Sequence, residues 1–219
     1  MSYYHNIVLI QDIFNRQEFK NMSNERGKSR VLTSSEFKRV VNMQESKKYG
    51  IRNICCLYIS FYLGLRAKEI SSLKIGTFVD TSGNLKKEIL LKRKMTKGMV
   101  QRRCYLTNDK LIKVLKKYLE LRNKSNYNNL DAPLILSQKG SSFTPDTMQK
   151  LFSSMYRLVG LDGASSHSGR RSFATKLIEN GTGITHVQKL LGHKNIQTTT
   201  LYIDENPKLL GKISSGINI

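Results

Sequence analysis

Apolar residues recur at helical spacing through most of the chain, and the pattern gives way in the middle, between residues 75 and 106. A stripe of that period cannot sit still as a strand, so it constrains the fold more than any other feature. Thr33-Ser34-Ser35-Glu36 is a capping box, and Phe37, Val40 and Val41 follow on one helical face. A second helix is expected over Ile51–Leu63, with Ile54, Leu57, Tyr58 and Phe61 together. Gly64 stops it, and Arg66 opens a short helix to about Leu73. Leu111–Leu121 carries Leu111, Ile112, Leu115, Tyr118 and Leu119, and Thr144-Pro145 starts a helix to about Val159. Helices also fit Ser168–Glu179, Ile184–Leu191 and Ile196–Ile203, separated by Gly181, Gly183 and Gly192. Between these, Ile75–Val79, Glu88–Leu91 and Val100–Leu106 read as strands, with Thr81-Ser82-Gly83-Asn84 as a turn and Leu134–Leu136 as a short strand or extended piece. The expected class is α+β, mostly α-helical with a small antiparallel β-sheet inserted in the middle.

Charge points to a partner. Lys and Arg number 37 against 16 acids, a net charge of +21 over 219 residues. Part of that belongs to any solvated surface, but a one-signed field of this size suits nucleic acid or another polyanion. From Asn84 to Lys124, 14 basic residues face 3 acidic ones, so about half the net charge lies in 41 residues. Cys55, Cys56 and Cys104 show no paired spacing and read as reduced core thiols of a cytoplasmic protein. The region after Met1 lacks a basic-then-apolar signal pattern, and the apolar run Ile54–Leu65 is too short to span a membrane.

Several residues can carry chemistry, and each also has an ordinary structural reading. His167 and Arg170 stand at i and i+3 at a helix start and share a face. Such a pair is common for structural reasons alone. His193 and Tyr202 are nine residues apart, and on one unbroken helix they would face opposite ways. They meet only if the chain bends, which Gly192 and the capping residue Asn195 allow. Otherwise Tyr202 is a half-buried core tyrosine. Arg66, between a buried helix and a short one, is a surface cation or a partner of Glu69 at i+3. Lys97, in Met95-Thr96-Lys97-Gly98, is by local context a solvated turn lysine. Two arginines, two histidines and a tyrosine together could break a phosphodiester: cations for the phosphate oxygens, groups that move protons, and a hydroxyl nucleophile.

In order and placement, these motifs resemble the catalytic domain of the tyrosine recombinase (phage integrase) family over about residues 31–206. The first box is Gly64-Leu65-Arg66-Ala67-Lys68-Glu69-Ile70-Ser71-Ser72-Leu73, and a looser lysine hairpin runs from Thr96-Lys97-Gly98 through Arg103 and Leu106. The two specific boxes are His167-Ser168-Gly169-Arg170-Arg171-Ser172-Phe173-Ala174-Thr175 and Leu190-Leu191-Gly192-His193 through Tyr202. The resemblance implies a metal-independent recombinase that needs no cofactor. It implies Arg66, Lys97, His167, Arg170 and His193 as catalytic residues, Tyr202 as nucleophile and Glu69 as their support. Lys94, Arg102, Arg103, Arg171 and Lys194 are expected to contact DNA. The implied partners are double-stranded DNA, further copies of the chain assembled on it as a tetramer, and accessory DNA-bending proteins. A membrane is not among them, and the implied setting is the DNA of a bacterial, archaeal or viral host.

Most relatives carry a separate helical DNA clamp ahead of this body. Residues 1–30 are too few for one and read as an arm or remnant, and residues 207–219 as a tail. Three other readings stand beside recombination: a catalytically silent DNA-binding regulator on the same fold, DNA relaxation of the type IB topoisomerase kind, and a metal-dependent nuclease. The nuclease lacks an evident carboxylate cluster, and His186 and His193 have no obvious partner ligands.

Overall fold

In this computed structural model the described residues are 29–96, 100–123, 129–204, 210–211 and 214–215. The helix α1 (Ser34–Glu45) begins at the expected capping box. The Thr33 hydroxyl accepts from the Glu36 N–H, and the Glu36 carboxylate accepts from the Thr33 N–H. Phe37, Val40 and Val41 turn inward. Helix α2 (Gly50–Leu63) is buried on almost every side and forms the axis of the body; α1, the later α5 and the later α7 all pack on it.

Gly64 ends α2 in the left-handed region at φ 62°, where a side chain is strained. A Cβ there would also lie 2.5 Å from the Phe173 ring, so glycine permits both the turn and the close approach. The short α3 (Ala67–Ser71) follows, then α4 (Ile75–Phe78).

The one-turn α4 corrects the strand expected over Ile75–Val79. Its Ile75, Phe78 and Val79 are buried at spacing i, i+3, i+4, while Gly76 and Thr77 are half-buried. Its branched and aromatic side chains favour a strand, but five residues are too few to show a period. Val79 keeps only an isolated bridge to Leu85.

The sheet has two antiparallel strands, β1 (Glu88–Leu91) and β2 (Arg102–Tyr105), with Glu88 opposite Tyr105 and Leu91 opposite Arg102. It alternates strictly: Ile89, Leu91, Arg102 and Cys104 point inward, and Glu88, Leu90, Arg103 and Tyr105 outward. The 3-10 turn Arg93–Met95 lies between the strands. Leu134–Leu136 is not a strand; Leu136 makes an isolated bridge to Ser142.

The remaining helices are α5 (Asp109–Asn123), α6 (Pro145–Arg157), α7 (Ser168–Glu179), α8 (Ile184–Leu191) and α9 (Gln197–Asp204). One large apolar core joins α1 to α6 with the sheet. A second, smaller one holds Ala174, Ile178, Val187 and Leu191, with Tyr202 and Ile203 packed on it. The three cysteines are free and buried. Among the described residues no helix is long and apolar enough to cross a membrane. The arm over residues 1–28 and most of the tail lie outside the described residues. Residues 29–32 already belong to the body: the Arg30 N–H donates to the Gly163 carbonyl and the Leu32 N–H to the Ser172 hydroxyl.

Candidate active site

The seam between the two cores opens into a cavity of about 250 Å³, lined by Arg66, His167, Arg170, His193 and Tyr202 together with Ser29, Arg171, Thr198 and Leu201. Each functional side chain arrives from the end of an element, where backbone geometry changes. Arg66 is the N-cap of α3, His167 the N-cap of α7, and Arg170 sits in the first turn of α7. His193 follows the left-handed Gly192, φ 66°, that ends α8. The Asn195 side chain accepts from the Gln197 N–H at 2.9 Å and restarts the chain as α9. That bend brings the nine-residue pair together: the His193 and Tyr202 rings stack at 6.2 Å between centroids, 18° apart in plane.

Glu69 organises the cations. Its side chain is fully buried and faces three guanidiniums: Arg102 at 2.7 Å, Arg66 at 3.3 Å and Arg170 at 4.0 Å. One of its oxygens also accepts the Arg66 N–H at 2.8 Å. Burial works to raise this carboxyl, but Arg102, then Arg170, the Arg66 N–H and the Arg66 guanidinium outweigh it, and the net shift is downward.

Arg170 is buried and spans two helix ends. It donates to the Gly64 carbonyl at 2.7 Å, to the Leu191 carbonyl at 2.7 Å, and to His193 Nε2 at 3.0 Å. Burial, with Arg66 and Arg102 nearby, draws its pKa down to about 9, which leaves it charged at neutral pH.

These contacts fix the proton on His193. A guanidinium only donates, so Nε2 must accept from Arg170. The ring proton is then on Nδ1, donated to the Thr199 hydroxyl at 2.8 Å. Burial first, then Arg170, Arg66 and Arg102, push this imidazole down to about 3, so it is neutral at pH 7. In this state Nε2 carries no proton, and its lone pair is taken by Arg170.

Arg102 requires a correction. Its side chain is 3% exposed, ion-paired to Glu69 and hydrogen-bonded to the Leu190 carbonyl, so it cannot reach DNA. The reason is parity: Cys104 and Leu106 point inward, and two residues back Arg102 must as well. That alternation was available in the sequence. Arg103, one residue on, is exposed and paired with Glu88 at 2.9 Å, a surface contact that phosphate can displace. Lys194 is exposed, Arg171 lines the cavity, and Lys94 lies in the 3-10 turn. Lys97 and Gly98 lie outside the described residues. Thr199 is the member that sequence reading missed; its signal was its place three residues before Tyr202, on the same helical face. Among the described residues no three or more of His, Cys, Asp and Glu converge as a metal site.

The sequence matches the phage integrase family over residues 30–208. The chain belongs to that family. Tyrosine recombinase XerD of Oceanobacillus iheyensis is 29% identical over 180 residues, 78% of this chain and 56% of that protein. Tyrosine recombinase XerA of Pyrococcus horikoshii is 29% identical over 198 residues, 89% of this chain and 63% of that protein. The chain therefore spans between half and two thirds of the length of these relatives. Among solved structures, XerA recombinase superposes with a TM-score of 0.71 at 24% identity, covering 87% of this chain and 66% of that one, a likeness of fold. XerH recombinase bound to its difH substrate, in a pre-cleavage complex, superposes at 0.64 with 27% identity, covering 86% of this chain and 55% of that one. The integrase boxes thus converge from α3, α7 and the α8–α9 bend at the seam between the two cores.

Proposed function

We propose that this chain is the catalytic part of a site-specific recombinase that cuts and rejoins duplex DNA through a 3′-phosphotyrosine. The observation that carries the reading is the single cavity shared by Arg66, His167, Arg170, His193 and Tyr202. The Tyr202 hydroxyl attacks phosphorus and gives its proton to His167, because an un-ionised phenol is a weak nucleophile and needs a base to take its proton. The Tyr202 oxygen–phosphorus bond forms as the bond from phosphorus to the 5′-oxygen breaks. Lys97 protonates that departing oxygen. As phosphorus becomes five-coordinate, charge grows on the non-bridging oxygens; the Arg66 and Arg170 guanidiniums meet it with paired donors, and His193 is a further donor. Glu69 keeps Arg66 and Arg170 aimed without cancelling them, since Arg102 takes its strongest ion pair. One phosphodiester is exchanged for another, so reversal with a new 5′-hydroxyl joins new strands. Assembly as a tetramer on DNA and accessory DNA-bending proteins belong to the same reading.

Nicked duplexes taken from the DNA flanking its gene, incubated with the protein in chelator, should give a covalent protein–DNA band. Tyr202→Phe should abolish the band while leaving DNA affinity nearly unchanged, because the ring packing is kept. A band that persists in Tyr202→Phe moves the nucleophile elsewhere; a parent protein that binds but never forms a band would favour the silent regulator.

A further inference from the structure

The hydrogen bonds around His193 leave its Nε2 without a proton to give to a phosphate. Its Nε2, the atom turned toward the arginines, is occupied as an acceptor by Arg170, and the proton sits on the far side, toward Thr199. To stabilise an incoming phosphate, Nε2 must carry a hydrogen. The ring can gain a second proton, or it can move the one it has. The charged groups acting on it are Arg170 from α7, Arg66 from the start of α3 and Arg102 from β2, all cationic, and a charged ring would be repelled by each. Moving the existing proton adds no charge.

The identity of the Nδ1 partner decides whether that is feasible. A carboxylate or a backbone carbonyl only accepts, and would lock the proton on Nδ1. A hydroxyl accepts or donates by rotating its own hydrogen. The partner here is Thr199, fully buried in α9, one turn before Tyr202 and 2.8 Å from Nδ1.

We propose that Thr199 is a positioning residue that lets the neutral His193 ring exchange tautomers when phosphate enters. In the free state Nδ1–H donates to Oγ1 and Nε2 accepts from Arg170. In the occupied state Arg170 turns its donor to the phosphate, Nε2–H donates to a phosphate oxygen, and the Thr199 hydroxyl donates to Nδ1. One proton leaves Nδ1 to water and one reaches Nε2 from water, so the ring charge is unchanged. This rests on the role given to His193 above.

The test is ¹⁵N NMR of the whole chain with labelled histidine, the His193 signals being those lost in His193→Gln. The free protein should show Nδ1 protonated and Nε2 bare. Inorganic phosphate, titrated until the Arg66 guanidinium signal stops moving, should reverse that pattern. A doubly protonated ring, an unchanged ring, or Nε2–H already present in the free protein each overturns the proposal. Thr199→Ser should preserve both states and the rate of covalent adduct formation. Thr199→Val, of nearly equal volume, should mix the tautomers in the free protein and slow the adduct by about 10–100-fold, the range found when a metal-bound imidazole loses the partner that orients it. DNA affinity should hold. Wild-type tautomers and rate in Thr199→Val overturn the proposal. His193→Ala run alongside separates the two claims. If it cleaves like the parent, the catalytic role of His193 falls; if it is slow while Thr199→Val is not, only the role of Thr199 falls.

Discussion

Glu69→Gln is the sharpest probe of how this site is held together. The amide keeps the shape of the side chain and removes its charge, leaving Arg66, Arg102 and Arg170 around a neutral group with no exposure to solvent. Arg102 loses the carboxylate it pairs with at 2.7 Å, and its own side chain is 3% exposed. Removing one partner of a buried ion pair costs about 3–5 kcal/mol, because the other charge stays buried without compensation. For a domain near this size each kcal/mol lowers Tm by about 2–4 °C, so a fall of roughly 6–20 °C is expected. Urea unfolding at pH 7 measures the free energy directly. The charge also sets a pH signature. The Glu69 carboxyl is held below its ordinary value, so its contribution is complete above about 4.3 and is lost as pH falls through the lower native value. The gap between parent and variant should therefore be flat from pH 7 to 5 and narrow only below about pH 4. Adding Arg102→Met should restore part of the loss, since the stranded cation is gone. A loss under about 1 kcal/mol at pH 7, or a double variant less stable by the full sum of both changes, would refute an electrostatic centre built on Glu69.

Gly192→Ala should destabilise by about 1–3 kcal/mol in urea unfolding, because φ is 66° and the new Cβ would lie 2.7 Å from Arg102 Cδ. Gly181→Ala, at φ 81° with nothing within 4 Å, isolates the backbone part at about 1 kcal/mol, and equal losses would show that the Arg102 contact is unimportant. Parent stability should decline as pH falls from about 6.5 toward 3, because the unfolded chain protonates His193 and the folded ring does not. His193→Gln should flatten that limb, and an unaltered slope would mean the ring is not buried neutral. Lys97→Ala should be slow on ordinary DNA and recover on a bridging 5′-phosphorothiolate, whose sulfur leaves without a proton, while Lys94→Ala behaves as the parent on both; rescue of Lys94→Ala alone moves the general acid to Lys94.

What the sequence made legible and what it hid divide along a physical line. Helices long enough to show a period were readable: Ser168–Glu179 and Ile184–Leu191 are found with the bounds expected from their spacing and glycines. The meeting of His193 and Tyr202 was also readable, because helical geometry forbids it on a straight helix and Gly192 and Asn195 supply the turn. Ile75–Val79 was misread because one turn of helix and a short buried strand contain the same residues, and tertiary contacts choose between them: the Ile75 N–H donates to the Ala132 carbonyl and the Gly76 N–H to that of Leu130. Arg102 was misread for a different reason. Within a segment carrying 14 basic residues, one more arginine looks like surface charge, and a buried cation becomes credible only beside its anion. That anion, Glu69, lies 33 positions earlier on another element. The sequence pattern shows which face a side chain takes, but not the distant group that makes burying it tolerable. The same limit concealed the proton on His193. Its position follows from two hydrogen bonds, to Arg170 and Thr199, and so it exists only once α7, α8 and α9 have closed around the ring.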